Sequence, residues 1–136
     1  MTVNPDDRLQ IHETLARLAD AVDAGRFDEL DEVFTPDAVY DMSATGLGVF
    51  RGRDGIRAAA AGMARSGRAP LAHFVTNVVV TGTDDGATVR SKGLMLMPDG
   101  QTLAVGHDDV LRRDRGAWRL SRRTITPVPR PVAAQG

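Results

Sequence analysis

Ile11, Leu15, Leu18 and Val22 follow the four-three-four spacing of one helical face, and Asp6 or Asp7 stands where an N-cap belongs. Gly25 is expected to end that helix. Phe27, Leu30 and Val33, three apart, predict a short second helix over 27–33, and Thr35-Pro36-Asp37 then turns the chain. Ala38 to Met42 reads as a short strand, and Gly46, Gly48 and Gly52 frame a loop or hairpin around Leu47 to Phe50. An alanine-rich helix follows from Asp54 to Ala64, closing near Gly67 and Pro70.

The second half changes period. Leu71–Thr81, Ala87–Met97, Gln101–Arg113 and Ala117–Thr126 are extended runs. Between them lie Thr83-Asp84-Asp85-Gly86, Pro98-Asp99-Gly100 and Asp114-Arg115-Gly116, all hairpin-turn chemistry, so the strands are expected to be antiparallel neighbours. Three helices ahead of a long meander predict an α+β fold in which the sheet curls and the helices cover its concave face.

A length of 136 residues accommodates one domain, taken as 1–136 with a core of about 8–126 and a flexible tail at 127–136 rich in proline and small residues. With 17 basic and 18 acidic residues the formal net charge is -1, which gives no field to gather nucleic acid or anionic membrane. Cysteine is absent, which excludes disulfides and thiolate chemistry. The polar, acidic N-terminus and the lack of a long apolar run lead to the expectation of a cytoplasmic protein.

Candidate chemistry sits where polar groups enter apolar runs. Leu71 to Val80 is a β-branched strand that nevertheless carries His73 and Asn77, and strict alternation puts both on one face with Val75. The first helix offers Asp20, opposite its apolar stripe and therefore solvated, and Asp23, at the stripe's flank, open to a buried or a surface reading. On another strand His107 and Asp109 share a face. A buried histidine has two readings, a satisfied core residue or a proton carrier, and both stand at this point.

No candidate ligands have a recognised metal spacing, and Gly46-Leu47-Gly48 lacks the lysine and following helix of a phosphate loop, so neither metal nor cofactor is expected. Arg112, Arg113, Arg115, Arg119, Arg122 and Arg123 crowd the last hairpin among Asp108, Asp109 and Asp114, which reads as a solvated or dimer face laced with ion pairs. Met63, Met95 and Met97 read as core filler, with a soft ligand wall as their second use.

Read in order, the segments Leu18–Leu30, Phe34–Asp41, Phe50–Ile56, His73–Asn77 and Gly116–Leu120 resemble the SnoaL-like polyketide cyclase and scytalone dehydratase-like branch of the nuclear-transport-factor-like superfamily. The resemblance implies a cone-shaped, curved antiparallel sheet wrapped around the helices, a cystatin-like α+β barrel. An open apolar pocket and a homodimer on the outer sheet face go with it. It further implies a cofactor-free lyase or isomerase (dehydratase or cyclase) acting on a hydrophobic carbonyl compound of polyketide, steroid or aromatic type. In that scheme His73 is the general base and acid and Asp23 its orienter. His107, Asn77 and Tyr40 meet substrate oxygen, and Val22, Met42 and Met95 line the pocket; Val22 and Met42 stand where the dehydratase has tyrosines. The rivals are a non-catalytic binding or assembly domain of the same fold, and an epoxide hydrolase built on Asp109 and Arg90.

Overall fold

Helix α1 (Pro5–Asp23) begins at Asn4, not at Asp6 or Asp7, in the computed structural model, which describes residues 2–129. Asn4 accepts from the Asp7 backbone N–H at 2.8 Å while Asp7 accepts from the Asn4 N–H at 3.1 Å. This reciprocal cap, followed by proline at the first helical position, explains the displaced start. Gly25, at φ +71°, takes the left-handed conformation just past the helix end as expected.

A single 3₁₀ turn (Phe27–Glu29) leads into α2 (Leu30–Val33). Strand β1 (Phe34–Met42) starts earlier than the sequence suggests, because Thr35-Pro36-Asp37 does not break it. Pro36 falls where the pairing with the neighbouring strand slips between Phe34 and Val39, a place where a missing N–H costs no ladder bond. Then come β2 (Gly48–Arg51), α3 (Gly52–Arg65), β3 (Ala72–Gly82), β4 (Ala87–Leu96), β5 (Thr102–Asp114) and β6 (Ala117–Pro127).

The strands form one sheet in the order β2-β1-β6-β5-β4-β3. All neighbours are antiparallel except β1 and β6, which run parallel, so the expectation of a wholly antiparallel sheet is corrected at that one seam. A parallel seam is what joins a strand from the first half to the end of a later meander. Helix α1 packs on β3 and β6, and α3 on β1, covering one face.

Ile11, Leu15, Leu30, Phe34, Leu111, Trp118 and Leu120 are fully buried between helices and sheet. Polar clamps tie the layers together. Thr14 donates to the Trp118 carbonyl at 2.9 Å, Arg8 to the Val80 carbonyl at 3.1 Å, and the Trp118 indole N–H to Asp7 at 3.0 Å. Pro127 closes β6 and Val128 donates to the Ala104 carbonyl, so 127 and 128 are tied to the sheet and not part of a tail; the rest of the expected tail, 130–136, lies outside the described residues. Among the described residues no helix is long and apolar enough to cross a membrane.

Candidate active site

Asp23 ends α1 and His73 opens β3, and the structure brings them together. Asp23 Oδ1 lies 2.5 Å from His73 Nδ1, and Oδ2 accepts the backbone N–H of the same histidine at 2.9 Å. Strand β3 is an outer strand of the sheet, and Asp23 fills the donor of His73 there. Holding ring and backbone with one carboxylate fixes the imidazole plane. It also assigns the proton to Nδ1, because a carboxylate only accepts, leaving Nε2 with its lone pair. The side chains are 30% and 22% exposed, so the pair sits at a rim open to a ligand. Asp20 is solvated as expected and pairs with Arg26.

Asn77 does not join them. Between Thr76 and Val79 the register with β4 slips, so three steps on β3 match two on β4, and Asn77 carries the strain at φ +56°. The extra residue reverses the alternation: Val75 and Val78 face inward, and Asn77 is exposed, accepting from the Thr76 hydroxyl at 2.9 Å. The expected contact of Asn77 with substrate is thereby overturned. Asparagine tolerates left-handed backbone, which was the available signal.

His107 is inward and buried. Its Nδ1 is 3.2 Å from Ser91 Oγ, directly across the β4–β5 ladder. Burial, then the Arg123 charge, then that of His73, push its pKa down to about 3, so the ring is neutral at ordinary pH. Ser91 is itself buried and its hydroxyl has no other acceptor among the described hydrogen bonds, so it donates to Nδ1 and the ring proton resides on Nε2. The two imidazoles are therefore set oppositely, His73 with a free Nε2 lone pair and His107 with an Nε2–H. Gly93 makes room for the second ring, since a Cβ there would stand 2.7 Å from His107 Cε1.

Met95 faces His73 across the ladder, and Val22, Tyr40 and Met42 are half-buried, Val22 and Tyr40 against the core. Two recesses, of about 240 and 390 Å³, lie along the outer side of α1 and α2, lined by Glu13, Ala16, Arg17, Asp20, Glu29, Glu32 and Val33. Neither touches His73, which stands on a rim of half-buried side chains.

The arginine-rich hairpin also differs from expectation. Arg112 and Arg122 make exposed pairs with Asp37 and Asp41, but Arg119 and Arg123 are buried. Arg123 Nε and Nη2 each sit 2.8 Å from an oxygen of Asp109. Arg90 is exposed and stands opposite Asp108, so it does not meet Asp109 as the epoxide-hydrolase reading requires. Sequence reasoning missed Ser91, Gly93 and the pairing of Arg123. Among the described residues no group of three or more His, Asp or Glu side chains could hold a metal ion.

A profile of the SnoaL-like domain matches residues 5–124. The chain belongs to this family. The SnoaL-like domain has an uncharacterised relative in Mycobacterium tuberculosis, 35% identical over 128 residues, which cover 88% of this chain and 84% of that protein. A solved structure from Novosphingobium aromaticivorans, described as a candidate aromatic ring hydroxylase, superposes with a TM-score of 0.77 at 30% identity, covering 95% of this chain and 94% of the other. A second structure from that organism, described as a candidate scytalone dehydratase, gives 0.78 at 19% identity with 93% and 87% covered, a likeness of fold alone.

Proposed function

We propose that this SnoaL-like domain is a cofactor-free lyase or isomerase, of dehydratase or cyclase type, for a hydrophobic carbonyl compound. The contact between Asp23 and His73 carries the reading. In the dehydratase form, His73 Nε2 takes a proton from the carbon next to the carbonyl, giving an enolate and an imidazolium that Asp23 stabilises. The enolate then expels a β-hydroxyl group, which leaves as water with the proton returned by His73, and a carbon–carbon double bond forms. In an isomerase the same proton returns to another carbon. His107 Nε2–H and the Tyr40 hydroxyl are the neutral donors for the developing oxyanion, while Met95, Met42 and Val22 contact the apolar body. The neighbour named for an aromatic ring, 30% identical, supports the substrate class.

Screening β-hydroxy ketones for turnover tests this. His73→Ala should lower kcat/KM by about 100- to 10,000-fold, the usual contribution of a positioned acid–base group, with folding intact. Asp23→Asn should lower kcat more than it raises KM. Wild-type turnover in both variants rejects the roles. The reading as a binding or assembly domain draws on the two recesses away from His73, and it predicts ligand affinity indifferent to His73.

Two copies are also proposed to pair through the convex sheet face. Phe74 is 53% exposed and stands in the ladder beside Leu94 and Ala104, next to exposed Leu71 and Leu96. Apolar neighbours of this kind are uncommon on a solitary surface. Phe74→Glu with Leu94→Lys should halve the mass measured by sedimentation, and a wild type monomeric at all concentrations dismisses the pairing.

A further inference from the structure

On the convex face, which the helices leave bare, β4 and β5 differ in build. Strand β4 presents Leu96, Leu94, Lys92 and Arg90, and the ladder sets these against Thr102, Ala104, Gly106 and Asp108 of β5. Long side chains therefore form a ridge along one strand, and short ones a trough along the next. Gly106 deepens the trough at its centre. Nothing within the chain demands a glycine there: its φ lies outside the left-handed region, and a Cβ would meet only the Thr126 carbonyl oxygen, at an ordinary 3.8 Å. A glycine inside a strand otherwise marks a place that another group approaches closely.

Charge follows the same division. Arg90 and Asp108 are exposed and face each other across the ladder, yet among the described residues neither has an ion-pair partner. Asp41 and Arg122, further across the same face, are joined at 3.1 Å. The ridge thus keeps the cations Arg90 and Lys92 for an outside partner, and the trough keeps the anion Asp108.

A ridge and a trough of opposite charge, side by side, fit the same surface turned over. We infer that a second copy packs on this face about a twofold axis running between β4 and β5, along the strands. Such an axis seats Leu94 on the partner's Ala104, Lys92 on the partner's Gly106 and Arg90 against the partner's Asp108, each contact made twice by symmetry. It also lays Phe74, 53% exposed, over the partner's Val128. Val128, 42% exposed, continues the row of Phe74, Leu94 and Ala104 through its hydrogen bond to the Ala104 carbonyl. An axis across the strands would instead lay ridge on ridge and cation on cation. The inference gives the pairing proposed above its axis and register, and rests on that pairing for the existence of the dimer.

Sedimentation equilibrium reads the dissociation constant. Arg90→Asp and Asp108→Arg each bring like charges together at two points and should each weaken self-association about 100-fold or more. Mixed in equal amounts, the two variants should associate with each other at close to wild-type strength, because one contact is then the native pair and the other the same pair reversed. Gly106→Val should fill the trough and weaken association about tenfold, with the Trp118 fluorescence of the folded chain unchanged. A dimer that these variants leave at wild-type strength keeps the pairing and overturns this register, as does a mixture that associates no better than either charge variant alone. A wild type monomeric at all concentrations overturns both, and gives the face to a different partner.

Discussion

His107 should make this protein lose stability on mild acidification, well before the carboxylates titrate. An unfolded histidine binds its proton near pH 6.5, whereas the folded His107 does so only near pH 3. Between these values the unfolded chain carries one proton that the folded chain refuses, so stability rises with pH in that window and is fully present above 6.5. One proton corresponds to about 1.4 kcal/mol per pH unit, and the clean stretch from pH 6.5 to 4.5 therefore removes about 3 kcal/mol. Trp118 is the sole tryptophan and is 2% exposed, so its fluorescence reports global unfolding. Urea titrations of the wild type and of His107→Gln across pH 7 to 4.5 isolate the contribution, since His12, His73 and the acids are common to both. The wild-type plot of stability against pH should slope more steeply by about one proton. Parallel plots would refute the burial of a neutral imidazole, and with it the Nε2–H donor assigned to the site.

Cutting the Asp109–Arg123 pair from one side should be far worse than removing both partners. Asp109→Ala or Arg123→Ala alone leaves a buried charge and should cost about 3–5 kcal/mol, while Asp109→Leu with Arg123→Met should cost much less; equal losses in urea unfolding contradict the pairing. Gly93→Ala should cost about 1–3 kcal/mol and displace the His107 ring, seen as a shifted imidazole NMR signal. Gly86→Ala should cost more, because its Cβ would meet the Leu111 carbonyl oxygen at 2.2 Å, and backbone yields less readily than a ring. The opposite order of the two glycine variants would contradict the packing described.

Much of the architecture was written in spacing and turn residues. The four long strands fall within a residue or two of the runs marked by Asp-Gly turns, and α1 follows its apolar stripe from Ile11 to Val22. Asp23 lay at the flank of that stripe, and a single wheel cannot tell rim from surface. Only the approach of β3, fifty residues later in sequence, decides it. Asn4-Pro5 was a legible cap, overshadowed by the two acids that follow it.

What the sequence concealed are two inserted residues. Counting back along the last hairpin from Asp114 and Ala117 would set Asp109 against Arg122, because Leu111 pairs with Leu120 by that count. The ladder slips between Leu111 and Val110, Ser121 is passed over, and Asp109 meets Arg123 instead. The same device at Asn77 sends one polar side chain outward, and at Ser121 it brings a cation inward. A period-two reading assigns every residue beyond such a point to the wrong face, and no propensity reports the slip. The chemistry of the concave wall therefore depends on two local irregularities. Without the slip at Ser121, Arg122 in place of Arg123 would oppose Asp109, and the buried ion pair of the concave wall would not form.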